Sequence, residues 1–402
     1  MLFNVLLQRG IFLQYILRCK GLIFLWQITV AILCFPLYVL SILIPIKNNL
    51  WIFGNVFGYK DNARYLYEYT RKNHPEIQTY WIYKEKQQFN YKDDQLYFLS
   101  VRGLWVQFRA AIAILSTGSG DVARFTLLKK IKVQLWHGIP IKKILLDSKE
   151  TLPFPHMIFF SGLYLKLFRR NLKKYDLIIA ANESNKACLT SAFGVSSDKV
   201  VVTGTPRHDI ILSTSKNIPK SKNGLKILYA PTWRRNSDIA RKNLEWLYCK
   251  EFNSWCHEKG VVVDICIHPL NDYLSSEVKT NSVIKLYSGD DINCNLTDYA
   301  LLITDYSSIA IDYSILHRPV LYYCIDYEEY DKARGLYDYY NEIINEKKNS
   351  DVTSLINEIK SKFDGHSFIS NDVDVQSFIV DGGACPRIIK EVKRYEKTIV
   401  CD

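Results

Sequence analysis

The sequence predicts an α/β protein: two doubly wound domains facing each other across a cleft, preceded by a hydrophobic N-terminal segment. Three observations predict it. Short apolar, β-rich runs alternate with amphipathic stretches from residue 47 onward. The runs fall into two series around a polar break, "STSKNIPKSKNG", Ser213 to Gly224. An uncharged stretch, Gly21 to Ile46, stands before the first series. Because the runs are continuously apolar rather than alternating, they read as strands covered on both faces, hence as parallel sheet. A chain of 402 residues also exceeds what one core organises.

Residues 1–46 form the first segment. "GLIFLWQITVAILCFPLYVLSILIPI" is longer than the ~20 residues that cross a bilayer. Pro36 and Pro45 interrupt it, and no small-residue cleavage site follows, which argues against a removed signal peptide. Arg9, Arg18 and Lys20 precede it and Lys47 follows, so basic residues do not separate the two flanks. The expectation is a bent, re-entrant or in-plane segment with both flanks cytoplasmic. Residues 47–215 form the first domain, with the runs "LWIFGNVFG", "QTYWIY", "AIAILST", "KVQLWH", "DLIIAA" and "KVVVTG" and a helix over Asp61 to Lys72. Residues 225–398 form the second, with "LKILYA", "VVVDICI", "VIKL", "ALLIT" and "PVLYY", a helix over Ala240 to Lys259 and a final helix.

Composition narrows the partners. Hydrophobic content of 48% and charged content of 23% are those of a folded chain. The net charge of +11 favours an anionic partner: nucleic acid, a lipid surface or a phosphorylated substrate. Lysines are spread along the chain and no arginine-rich arm is present, which argues against nucleic acid. The 10 cysteines are scattered, without CxxC or zinc-finger spacing, and read as reduced thiols.

Ligands of doubly wound sheets bind at the carboxyl ends of strands, so the chemistry is sought there. "KVQLWHG" delivers His137, "VVTGTPRHD" delivers Arg207 and Asp209, and "ILYAPTWRR" delivers Thr232 and Arg234. "VVVDICIHP" delivers His268, and "LLITDYSSIAIDYSIL" delivers Asp305, Ser307 and Ser308 at the start of a helix. A helix start with free N–H groups and hydroxyls accommodates phosphate, although N-capping by Asp305 or Ser307 would explain the same residues. His74, His156, His257, His317 and His366 have no partner pattern. His137 and His268 differ, because each ends an apolar strand and precedes a turn residue, one in each domain. No P-loop or GxSxG is present. "GSGDVA" (Gly118 to Ala123) reads as a turn, and Asp372 to Asp374 as a polar loop; no metal site is read.

At these strand ends the sequence resembles the CDP-glycerol glycerophosphotransferase family, the teichoic acid primases and polymerases. The residues that carry it are "WHGIPIKK", "TGTPRHD", "YAPTWR", "IHP" and "TDYSSIAIDYSILHRPVLYY", with support from "LWIFGNVFGYKDNARYLYEY" and "RGLYDYY". The resemblance implies a GT-B-like fold of two Rossmann-type domains at the cytoplasmic face of the cell membrane. It implies transfer of glycerol phosphate or ribitol phosphate from CDP-glycerol or CDP-ribitol to a lipid-linked glycan acceptor, with release of CMP. The CDP-alditol is a substrate, and no cofactor or nucleic acid is implied. His137 is the expected base for the acceptor hydroxyl, with Lys142 or Lys143 keeping its surroundings electropositive. Arg207, Arg234 and His268 are candidates to neutralise the diphosphate. By resemblance Thr232, His268, Asp305, Ser307 and Ser308 lie in the donor pocket, while Arg207 and Asp209 divide between binding and hinge structure. Lacking the polymerases' additional N-terminal part, the chain looks more like a primase or a capsule- or lipopolysaccharide-decorating enzyme. A GT-B glycosyltransferase using a sugar nucleotide is the alternative within enzymes. A non-catalytic assembly protein is the alternative outside them.

Overall fold

A run such as Leu50 to Phe53 has no side that suits water, and the computed structural model buries it on both. The structure describes residues 34–85, 93–149, 158–215, 225–365 and 377–401, together with Thr29. The first sheet contains β1 (Lys47–Gly54), β2 (Gln78–Tyr83), β3 (Gln95–Tyr97), β4 (Ala110–Leu115), β5 (Ile131–Gln134), β6 (Leu177–Ala180) and β7 (Val200–Val202). Their order is β3-β2-β1-β4-β5-β6-β7, and every pairing is parallel. Leu50 and Ile52 enter the core on one face, Trp51 and Phe53 the core on the other. The period of two along a strand is what lets one apolar run fill both.

The second sheet contains β8 (Lys226–Ala230), β9 (Val262–Ile265), β10 (Ile284–Leu286), β11 (Leu301–Thr304), β12 (Val320–Tyr323) and β13 (Lys348–Asn349). It is parallel too, in the order β10-β9-β8-β11-β12-β13. In each sheet the strand order reverses at one place, between β1 and β4 and between β8 and β11. Such a switch point leaves a crevice at the carboxyl ends of the strands. The predicted α/β class, with two parallel sheets, is therefore what the chain adopts.

Three elements differ from expectation. The helix expected over Ala240 to Lys259 is broken into Ser237–Lys242, a 3-10 turn Glu245–Tyr248 and Lys250–Lys259. Leu244, Trp246 and Leu247 all turn inward, which one helical face cannot do, and Trp246 packs against Tyr229 and Phe252 with ring centroids 5.2 and 5.3 Å away. Second, the final helix, Ala384–Cys401, was assigned to the second domain by its order in the chain but packs on the first. Cys385, Ile388, Ile389 and Val392 form an apolar stripe at helical spacing and fill the same core as Trp51 and Phe53. Third, the hydrophobic N-terminal segment lies outside the described residues up to position 33, Thr29 excepted. Its described remainder is the helix Phe35–Leu43, with Pro36 in its first turn and Pro45 just beyond its end. Among the described residues no helix is long and apolar enough to cross a membrane. That short helix lays Tyr38 against Phe125, Lys129 donates to its Ile42 carbonyl, and Phe35, Ile42 and Leu43 stay more than half exposed at 65%, 57% and 71%.

Candidate active site

The loop after β5 carries the first histidine in an unusual backbone. Trp136 has φ of 56° and Gly138 φ of 144°, so the peptide reverses sharply on either side of His137. The left-handed region costs a tryptophan of order 1–2 kcal/mol, which other contacts must offset. They are present. The Trp136 ring packs against Phe193 at 5.4 Å, the Trp136 backbone N–H donates to Gln134 Oε1 at 3.0 Å, and the Trp136 carbonyl accepts from Asn62 Nδ2 at 2.9 Å. Gly138 must be glycine for another reason as well. A Cβ there would stand 2.5 Å from Ser308 Oγ and 3.3 Å from Arg207 Nη1. The first domain's histidine loop thus lies directly against the second domain's serine loop.

His137 is exposed to water, beside a loop that packs against Ser308. Burial pushes its pKa down, Arg207 and Lys142 push it the same way, and Asp61 opposes them. The water that reaches the ring moderates the burial, but the direction stands: the imidazole is held as the neutral base. The Ser116 backbone works against that shift, as Asp61 does, without reversing it.

His268 ends the strand β9 region of the second domain and caps the 3-10 helix Pro269–Ser276. Its Nδ1 accepts the Leu270 N–H at 3.1 Å, so the neutral ring carries its proton on Nε2 and can donate from there. Burial lowers its pKa to about 4, with Lys142 and His137 adding to the shift and Asp305 opposing it. Both histidines therefore feel Lys142, and His268 feels His137. The two histidines, one from each domain, thus share an electrostatic environment. Lys142 itself is half-buried on a segment bridged to the second domain. Lys143 N–H donates to Gly335 O at 2.9 Å, Tyr337 N–H to Ile141 O at 3.0 Å, and Lys142 pairs with Leu336. That gives "RGLYDYY" a physical role.

Other predicted binding residues are placed differently. Arg207 is closed between carboxylates, with Nη1 2.7 Å from Asp312 and Nη2 bonded to Asp61, and only 6% of its side chain is exposed. It cannot neutralise a diphosphate while those bonds hold. Arg234 is engaged likewise, with Nη2 2.8 Å from Asp305, Nε 2.7 Å from Asp326 and the aromatic faces of Tyr306 and Tyr330 beside it. Asp305 spends its oxygens on Arg234 and on the Thr232 N–H at 2.8 Å, so it shapes the loops after β8 and β11 rather than facing a ligand. Asp209 caps the final helix, accepting from Ala384 N–H at 3.1 Å and Cys385 N–H at 2.9 Å. The Thr232 hydroxyl, by contrast, is buried without a protein partner and lines a small pocket with His268. Ser307 and Ser308 are half-buried at the mouth of the cleft.

Sequence reasoning missed the frame: Asp61, Asn62, Ser116, Asp312 and Asp326. Signals were there for three of them, since "KDNAR" opens a helix with the adjacent polar residues Asp61 and Asn62 and "IAIDYS" puts the Asp312 carboxylate inside an apolar helix.

The family described as CDP-Glycerol:Poly(glycerophosphate) glycerophosphotransferase matches residues 37–392. The teichoic acid glycerol-phosphate transferase of Staphylococcus aureus is 27% identical over 341 residues, covering 78% of this chain and 84% of that one. The teichoic acid poly(glycerol phosphate) polymerase of Bacillus subtilis is 27% identical over 339 residues, 75% of this chain. There the chain spans only 42% of the relative's length. Among solved structures, the wall teichoic acid polymerase TagF superposes with a TM-score of 0.70 at 23% identity, over 88% of this chain and 90% of that one. The two share a fold.

Proposed function

Because this chain belongs to the CDP-Glycerol:Poly(glycerophosphate) glycerophosphotransferase family, we propose that it transfers glycerol phosphate or ribitol phosphate from a CDP-alditol to a hydroxyl of a membrane-linked glycan acceptor. The observation that carries the reading is the pair His137 and His268, one from each domain, facing a common cleft beside Lys142. Related proteins bear names that include both glycerol-phosphate and ribitol-phosphate transfer, and a TagF variant structure was obtained with CDPG.

The chemistry follows from those side chains. The acceptor hydroxyl gives its proton to the unprotonated ring nitrogen of His137 as its oxygen attacks the phosphorus that bears the alditol. The new oxygen–phosphorus bond forms, the bond to the bridging diphosphate oxygen breaks, and CMP leaves with the bonding pair. Negative charge grows on the departing phosphate. His268 Nε2–H, Lys142 and the hydroxyls of Thr232, Ser307 and Ser308 are the groups suited to meet it. A neutral His137 is ready at neutral pH, whereas an ordinary histidine is partly protonated there.

The membrane part of the reading rests on the uncharged stretch 21–46 and the exposed apolar face of Phe35–Leu43. The test is incubation of the protein with an acceptor and, separately, CDP-glycerol, CDP-ribitol and common sugar nucleotides. Acceptor-dependent CMP release from a CDP-alditol is expected. Turnover confined to sugar nucleotides would replace this reading with the glycosyltransferase one.

A further inference from the structure

Asn62 has no surface at all, yet every polar atom of its side chain is used on something that concerns His137. Its Nδ2 donates to the carbonyl of Trp136 at 2.9 Å, and its Oδ1 accepts the backbone N–H of Arg207 at 3.0 Å. Three strand-end segments meet there: the helix after β1, Asp61–Asn73, that supplies Asn62, the loop after β5 that carries His137, and the helix after β7, Pro206–Ser215, that carries Arg207. The peptide it holds is the one joining Trp136 to His137, where Trp136 is in the left-handed region. A carbonyl fixed at that point sets the direction in which the next residue leaves. The frame extends outward. Asp61 next door bonds Arg207 and takes a φ of 69°, its N–H donates to Asp291 Oδ2 at 3.0 Å, and Arg207 reaches Asp312 at 2.7 Å in the second domain. The following residue, Ala63, donates its N–H to Ser116 Oγ at 3.1 Å.

We infer that Asn62 is a positioning residue for the transfer reaction, its amide holding the Trp136–His137 peptide so that the imidazole faces the acceptor. The inference rests on the reading of His137 as the base. An amide suits the task because it is at once a donor and an acceptor. A carboxylate of the same shape offers only acceptors when ionised, but regains a donor when protonated. That difference supplies the test. The charged and titratable groups around the site are Asp61 on the same helix, His137 after β5, Arg207 and His208 after β7, and Asp291 and Asp312 from the second domain.

The experiment measures acceptor-dependent CMP release from CDP-glycerol by the full chain, by Asn62→Ala, by Asn62→Asp and by His137→Ala, between pH 5 and 8, with donor affinity by calorimetry. Asn62→Ala is expected to lose about 10²-fold in turnover, the scale of a small misplacement of a reacting group, with CDP-glycerol affinity unchanged. Asn62→Asp is expected to be as impaired at pH 8 but to recover relative to wild type as pH falls, whereas the Asn62→Ala ratio stays flat. If His137→Ala is inactive while Asn62→Ala turns over like wild type, the positioning role falls and the base assignment stands. Equal losses in both Asn62 variants at every pH, or a parallel loss of donor affinity, would also overturn it, because the amide would then be general packing. A His137→Ala variant with wild-type turnover overturns both readings. Should Asn62→Ala not accumulate as folded protein, the pH dependence of Asn62→Asp alone decides.

Discussion

At the scale of single residues, the base role proposed for His137 rests on position rather than on a partner carboxylate. Among the described residues no hydrogen bond to Asp61 is present; burial, with Arg207 and Lys142, keeps the ring neutral. Two measurable consequences follow. His137→Ala should lower turnover about 10²- to 10⁴-fold, the usual worth of a general base, while CDP-alditol affinity stays the same. Wild-type turnover in that variant would remove the assignment. The second consequence concerns pH. In the proposed role the neutral ring is the active form, and the folded pKa is depressed, so activity should be lost only as pH falls below the ordinary histidine value of about 6.5. A kcat/KM profile whose acidic limb lies above that value in wild type, or does not change in His137→Ala, would contradict the account.

At the scale of elements, residues expected to bind substrate turn out to hold the framework. Asp209 joins the helix after β7 to the final helix, and Arg207 joins the loop after β1 to the helix carrying Asp312. Asp209→Ala should therefore cost about 1 kcal/mol of stability, the typical worth of an N-cap, and leave donor affinity alone. Weakened CDP-glycerol binding with an unchanged unfolding midpoint would restore it to the binding site. Asp312 makes a stronger case. Burial raises its pKa, but Arg207 and His208 outweigh burial and hold it below the usual carboxylate value. A depressed folded pKa gives stability that is present above the unfolded value, near 3.9, and lost as pH falls through the lower folded one. Asp312→Ala leaves Arg207 with one carboxylate fewer and should cost about 3–5 kcal/mol at pH 7, and the acid-induced loss below pH 4 should become shallower. Urea midpoints at both pH values check this. These assignments explain what was legible. Continuous apolar runs gave the long strands, because burial on both faces is written in every residue of β1 or β4. The brief β3 and β13 carry too few residues to show a pattern. His137 and His268 could be read because strand ends are where ligands bind. Whether an arginine at a strand end meets substrate or a carboxylate depends on partners distant in the chain, as Arg207 and Asp312 are, and no local spacing records that.

At the scale of the whole molecule, the two sheets are tied by a helix that returns from the second domain to the first, and the loop of His137 lies against Ser308 of the second domain. The helix Phe35–Leu43 enters this body through the 124–129 turn, where Tyr38 meets Phe125 and Lys129 bonds the Ile42 and Ile44 carbonyls. Its outward residues are apolar, and Leu40 at 43% joins Ile42 and Leu43 among the exposed ones. A soluble protein gains nothing from such a face. A protein that must reach a membrane-linked acceptor gains about 25 cal/mol for each Å² it buries in lipid. The expectation is that replacing Leu40, Ile42 and Leu43 together by serine reduces sedimentation with vesicles containing anionic lipid. Turnover on a water-soluble acceptor analogue should persist, because none of the three lies at the cleft. Whatever attraction remains comes from the net charge of +11. It should fade as salt rises, since screening limits electrostatic reach to about 8 Å at physiological ionic strength. Binding by the triple variant that matches wild type in high salt would place the membrane contact on another part of the chain.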